Sequence, residues 1–229
     1  MANPGIIPHY PPTIDLPGFV RNDKSVSELL IKFGGTCALL LGSTWTALSW
    51  WKDSLTPGTR AVALWFVLTG CLHIVFEGYY VIHYASMASQ MDLLGQLWKE
   101  YALSDSRYLT QDTFVLSIET ITALVWGPLS FSTAAAIVTS HSMRHPLQMI
   151  VSVAHIYGCV LYFATATADL LLKDTSHTRP EFLYMWIYYF GMNAVFILIP
   201  SILVVQSLRE TQSAFAALRE KRARQNGSS

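Results

Sequence analysis

The sequence predicts an all-α fold, a polytopic membrane bundle of five transmembrane helices, and three observations predict it. Hydrophobic residues make up 52% of the 229 and charged residues 13%, with a mean hydropathy of +0.36, too apolar for an ordinary soluble domain of this length. Apolar runs long enough for the ~20 residues of a spanning helix fall at about 26–51, 60–84, 113–139, 146–172 and 182–207. Inside the second run a histidine and a glutamate, His73 and Glu77, stand one helical turn apart. Formal net charge is zero and no basic stripe with interleaved aromatics occurs, so nucleic acid is not an expected partner.

Residues 1–25 form a proline-rich segment without the charged start and apolar core of a cleavable signal peptide, so the first span is expected to act as the targeting signal. The membrane domain is expected over 26–207 and a basic tail over 208–229. An odd number of spans puts the two ends on opposite sides of the membrane. Arg209, Arg219, Lys221, Arg222 and Arg224 crowd behind the last span, which marks the C-terminus as cytosolic. On that side the formal sequon at Asn226 would not meet the glycosylation machinery. Cys37, Cys71 and Cys159 all lie in apolar runs, where a cysteine is a small hydrophobe rather than part of a disulfide framework. One connection is long, SMASQMDLLGQLWKEYALSDSRYLTQD. Its Trp98, Tyr101 and Tyr108 suit a membrane interface, and a loop of this length is expected to cap a cavity.

The second run, LWFVLTGCLHIVFEGYYVI, carries His73 and Glu77 on one helix face, four residues apart. Ionisable groups at bilayer depth cost at least ~2.5 kcal/mol each, so they face a bundle interior and usually have a job. In the third run Glu119, Thr122 and Trp126 stand at i, i+3 and i+7 and share a face. His155 lies in the fourth run and Asn193 in the fifth. A lone membrane histidine or asparagine is more often an interhelical link worth ~0.6 kcal/mol than a catalyst. Two carboxyls with a histidine are harder to account for as packing. Gly127-Pro128 is placed to kink the third span or simply to pack.

Metal chemistry is not expected. His141 and His145 in HSMRHP make at most one histidine box, where a membrane di-iron oxygenase needs several, and His73 with Glu77 lacks the repeated Glu-x-x-His of carboxylate-bridged bundles. Away from water a carboxyl tends to hold its proton and an imidazole stays neutral unless a carboxylate supports its charge. Side by side the two exchange a proton. That suits acid–base work on an apolar substrate, with no cofactor: protonating an alkene makes a carbocation, which a tryptophan face stabilises by ~2 kcal/mol when dry, and loss of a neighbouring proton moves the double bond.

The segments HIVFEGYYV, LWKEYALSDSRY, IETITALVWGPLS, VSVAHIYGCVLYF and MNAVFILIP, with HYPPTIDLPGFV near the start, resemble the emopamil-binding protein family, membrane sterol Δ8-Δ7 isomerases carrying the EXPERA domain. The resemblance runs from about residue 8 to 207. It implies a five-helix bundle of the endoplasmic reticulum membrane whose cavity admits a sterol. His73, Glu77, Glu119 and Asn193 then match catalytic positions, and Tyr108, Thr122 and Trp126 shape the pocket, with His155 and Phe196 as further substrate-binding positions. It also implies protonation at C9 and proton loss at C7. Two positions depart from the pattern: Phe196 stands where a tryptophan is expected and His155 where a glutamine is expected. Both touch the cavity, and they keep open a terpene or meroterpenoid cyclase that starts from an olefin or epoxide. A non-catalytic sterol or amphiphile binder is the third reading, since the wider superfamily includes sterol-handling proteins. The expected partners are a sterol or terpenoid lipid, the membrane and cationic amphiphilic ligands that mimic the cation; a homodimer is left open.

Overall fold

The structure, a computed structural model, describes residues 8–226. Among the described residues five helices are long and apolar enough to cross a membrane: α1 (Val26–Trp51), α2 (Pro57–Ser89), α4 (Thr113–Val138), α5 (Arg144–Lys173) and α6 (Leu183–Asn226). A shorter helix, α3 (Leu93–Tyr101), lies in the long connection between α2 and α4. No strand occurs among the described residues, and the chain is a multi-pass membrane protein.

Local chemistry sets the helix starts. Ser25 accepts from the Glu28 amide at 3.2 Å. Thr56 caps α2, with Pro57 at the first helical position where its missing N–H costs nothing. Asp92 accepts from the Leu94 and Gly95 amides at 2.9 and 3.1 Å, and Asp112 from the Val115 amide at 2.9 Å. Each satisfies an amide that the first turn cannot.

Lipid offers no hydrophobic drive for helix association, so close packing and hydrogen bonds hold the spans together. Helices α2 and α4 pack closely at Gly70, where an added Cβ would sit 2.8 Å from the Phe131 ring. Helices α5 and α6 are tied by Gln148, whose amide nitrogen donates to the Leu203 carbonyl at 3.1 Å and to Gln206 at 3.0 Å. The packed interior has two parts. One is mainly aliphatic, around Ala63, Phe66, Ile137, Val151 and Leu203. The other is aromatic and lies against α3, around Tyr80, Trp98, Tyr108, Tyr162 and Tyr189. Helix α1 is peripheral, with only Leu29 and Leu48 buried.

Three features go beyond what the sequence shows. The long connection holds a helix and packs inward: Trp98 is 2% and Tyr108 5% exposed, so these rings fill the bundle rather than face headgroups. Arg107 explains why. Its guanidinium binds the Asp105 carboxylate at 2.6–3.0 Å, donates to Thr165 at 2.8 Å and lies 4.9 Å over the Tyr162 ring, pinning the connection to α5.

Next, the described part of the proline-rich segment is held against the bundle. His9 contacts the Lys99 carbonyl at 3.0 Å, the Val20 amide donates to Ala88 at 3.0 Å, and Lys99 Nζ donates to the Val20 carbonyl at 2.6 Å, strapping it across α3. Last, α6 continues as helix beyond the apolar run that ends near residue 207. A span ends where lipid ends, but Leu208 to Asn226 is rich in helix formers and free of glycine and proline, so the helix runs on. Gly227 and Ser228 of the sequon lie outside the described residues.

Candidate active site

A cavity of about 460 Å3 opens in the aromatic half of the bundle, within the range of small-molecule sites. All nine residues singled out from the sequence border it: His73, Glu77, Tyr108, Glu119, Thr122, Trp126, His155, Asn193 and Phe196. The capping expected of the long connection is also present, since Leu97, Trp98, Glu100, Tyr101 and Tyr108 form part of the wall.

Three of the spans abandon α-helical winding at the cavity. Leu72–Glu77, Thr122–Trp126 and Leu183–Met192 are π-helical, a wider turn often found at functional sites. In α4 the cause is local: Pro128 lacks an N–H and its ring displaces the preceding turn, and the Gly127 amide reaches back five residues to Thr122. The kink anticipated at Gly127-Pro128 therefore takes the form of a widened turn. Gly127 is also required by a close approach, because an added Cβ would lie 2.5 Å from Ile74 and 3.3 Å from His73 Cβ. In α2 the indole N–H of Trp98 donates to the Phe76 carbonyl at 2.9 Å, satisfying a group inside the widened turn.

His73, 3% exposed, is gripped from both sides. Its Nδ1 lies 2.9 Å from each carboxyl oxygen of Glu77, and its Nε2 lies 2.9 Å from His155 Nε2. His155 Nδ1 is buried without a partner. A buried N–H left unmet is rarer than an unmet lone pair, so that nitrogen is assigned as the bare one. The proton of His155 then sits on Nε2 and is donated to His73, whose own proton on Nδ1 is donated to Glu77. This chain of two imidazoles and a carboxyl was not visible in the sequence, which places the histidines 82 residues apart.

Glu119 is 8% exposed and accepts from the Tyr108 hydroxyl at 2.6 Å. Glu77 borders the same cavity, close enough for the two carboxyls to act on each other's charge. Thr122 commits its hydroxyl proton to the Ile118 carbonyl at 2.7 Å, so toward the cavity it has only lone pairs and a methyl group. Asn193 donates one amide hydrogen to the Tyr189 carbonyl at 2.7 Å. Its carboxamide oxygen remains available to the cavity. Phe196 stands behind the imidazoles, 5.6 Å from His155, 6.2 Å from His73 and 5.3 Å from Trp65 between ring centres. Among the described residues, no group of three or more His, Cys, Asp and Glu is arranged to hold a metal ion.

Several wall residues carried no usable signal in the sequence. Glu100 lies outside the spans, where a carboxyl is unremarkable, and Tyr188 is one ring in the aromatic run YMWIYYF. Cys159 approaches the Asn193 carbonyl at 3.9 Å.

A bundle of this form, with two carboxyls and a histidine around a mostly apolar cavity, defines a membrane protein equipped for proton transfer within its own interior. Residues 93–207 match the family model described as EXPERA (EXPanded EBP superfamily). The chain is 36% identical over 218 residues to the 3-beta-hydroxysteroid-Delta(8),Delta(7)-isomerase of Mus musculus, covering 93% of this chain and 92% of that one. It is 32% identical over 216 residues to a probable isomerase of the same name from Oryza sativa subsp. japonica, covering 94% and 96%. It is also 34% identical over 180 residues to an isomeliandiol synthase of Melia azedarach, covering 76% and 82%. The chain belongs to the EXPERA family.

Proposed function

We propose that this protein moves a ring double bond of a 3-hydroxysterol from the Δ8 to the Δ7 position, within the endoplasmic reticulum membrane and with the C-terminal helix on the cytosolic side. The observation that carries the reading is the gathering of His73, Glu77 and Glu119 on one cavity, in a chain similar over most of its length to isomerases named for this conversion.

In this reading a protonated carboxyl of the Glu77–Glu119 pair gives its proton to C9 of the C8=C9 alkene. The bonding pair becomes the new C9–H bond and C8 is left positive. The remaining carboxylate and the Trp126 face lie on the wall around that charge, where a dry cation–π contact is worth ~2 kcal/mol. Loss of the C7 proton to a second group of the His73–Glu77–Glu119 set leaves its electron pair as the C7=C8 bond. Substrate and product have the same formula, so no redox cofactor enters.

Because one group gives a proton and another takes one, the proton has to return between turnovers. The 2.9 Å bond from Glu77 to His73 and the adjacency of Glu77 and Glu119 supply a path that needs no water. Asn193 and Thr122 add oxygen dipoles. Cationic amphiphiles are expected to bind by placing an amine where the carbocation forms.

A second reading follows from the synthase among the relatives and from His155 and Phe196 on the wall. A cyclase would use the same initial protonation and capture the cation with an internal double bond. The deciding experiment is incubation of membranes containing the protein with a Δ8-sterol in deuterated water. A Δ7 product carrying deuterium at C9 supports the isomerase. Unchanged sterol beside an active control enzyme refutes it and turns attention to prenylated substrates.

A further inference from the structure

We infer that Glu100 and Tyr188 form an anchoring subsite for a hydroxyl group of the substrate, separate from the acid–base set. This deepens the sterol reading and rests on it for the choice of ligand. Glu100 is on α3, the helix that caps the cavity; it is 7% exposed and borders the same space as His73 and Glu119. A carboxyl has room for about four hydrogen bonds. Among the described residues this one accepts a single bond, from the Tyr188 hydroxyl at 3.4 Å, which is long for an O–H donor.

Among the described residues no cation completes it. Lys99, the preceding residue, points to the Val20 carbonyl. Arg179, whose charge reaches Glu100, is held by Glu181 and by the Pro8 carbonyl at 3.1 Å. A buried carboxyl with unmet capacity is costly unless something else supplies a donor.

The two carboxyl centres keep separate company. Glu119 is bonded to Tyr108 and close to Glu77, while Glu100 is bonded to Tyr188. The rest of the wall is mostly aromatic and aliphatic. The matching ligand is a rigid apolar skeleton with its reacting alkene at one place and a polar group at another. An alcohol is the group that fits both partners, because its O–H donates to Glu100 while its lone pair takes the single Tyr188 proton in exchange for the long bond that Tyr188 makes to Glu100. A ketone accepts from Tyr188 but leaves Glu100 unmet, and an ester adds bulk besides. In a 3-hydroxysterol the hydroxyl is on ring A and the alkene at the junction of rings B and C, so anchoring the first fixes the position of the second.

The test compares a 3-hydroxy-Δ8-sterol with its 3-deoxy and 3-keto analogues on the full-length protein in nanodiscs, using wild type, Glu100→Leu, Glu100→Gln and Tyr188→Phe. Wild type is expected to show KM raised ~10-fold or more for the 3-deoxy and 3-keto compounds, the range of a hydrogen bond to a charged group, with kcat changed less. In Glu100→Leu the difference between alcohol and 3-deoxy sterol should collapse to within ~2-fold, with the 3-deoxy KM unmoved. Glu100→Gln, which can still pair with a hydroxyl, should restore part of the preference. If Glu100→Leu does not fold, Tyr188→Phe is expected to reduce the preference by a smaller factor.

Wild-type discrimination that persists in both Glu100→Leu and Tyr188→Phe overturns the subsite, as does a wild type indifferent to the hydroxyl. Equilibrium binding of the alcohol and 3-deoxy sterol separates this inference from the isomerase reading. An alcohol preference in wild type that Glu100→Leu abolishes, without turnover of any sterol, leaves the subsite standing and the isomerase refuted.

Discussion

His73 Nε2 and His155 Nε2 lie 2.9 Å apart, so one proton sits between two nitrogens that cannot both be bare or both be protonated. With His155 as donor, His73 is held in the tautomer that presents its N–H to Glu77. We propose that His155 is a positioning residue, orienting His73 through that bond.

This predicts different outcomes for two substitutions of similar size. His155→Gln keeps an N–H for His73 Nε2 and should retain activity within a few-fold, whereas His155→Met removes the donor. Loss of a hydrogen bond in a buried polar chain is worth ~1.5–3 kcal/mol, so kcat for a Δ8-sterol should fall ~10- to 100-fold in His155→Met. Equal activity of the two variants, each shown to be folded in membranes, would mean that His155 only fills space.

Glu77→Gln and Glu119→Gln keep shape and remove a proton-exchanging group. Each is expected to lower turnover by at least ~100-fold, the scale of a general acid or base, while cationic amphiphile binding weakens without loss of folded protein. Turnover assays on purified variants, with a radiolabelled amphiphile as binding probe, decide it. Retained activity in both would remove the proposed proton path.

Arg107 and Asp105 are 1% and 0% exposed, and their ion pair holds the connection that delivers Tyr108 to Glu119. Asp105→Asn leaves a buried guanidinium without its counter-charge, a change that costs ~3–5 kcal/mol. Thermal unfolding of the detergent-solubilised protein should drop accordingly. A melting temperature like that of wild type would show that the pair is not what holds the cap.

The strap across α3 gives a pH dependence. Burial pulls the His9 imidazole down from 6.5 to about 4, with the charges of Arg179 and Lys99 acting in the same direction against the hydrogen bond to the Lys99 carbonyl. Between those two values the unfolded chain binds the proton and the folded one does not. Stability is therefore full above about pH 6.5, declines as the pH falls, and below about pH 4 has lost about 3 kcal/mol from this group. His9→Gln keeps a donor for the carbonyl and does not titrate. Its melting temperature should fall less than that of wild type between about pH 7 and pH 4.5, and an equal fall would place the acid sensitivity elsewhere.

The sequence by itself determined the class, and it singled out nine residues that border one cavity. Lipid allows few ways to satisfy a backbone, so run lengths are enough to read five spans. Buried charge is costly enough that His73, Glu77 and Glu119 stand out against apolar neighbours. Helical period put Glu77 with His73, and Trp126 with Glu119, on shared faces. Tertiary structure decided the rest. Residues far apart in the chain met only through packing, as with His73 and His155 or Arg107 and Thr165. The widened turns at Leu72–Glu77 and Leu183–Met192 carry no proline within them and no periodicity to announce them. Glu100 and Tyr188 are ordinary residues until α3 folds over the cavity and takes a carboxyl out of water, because burial, and not residue type, makes an unmet hydrogen bond matter.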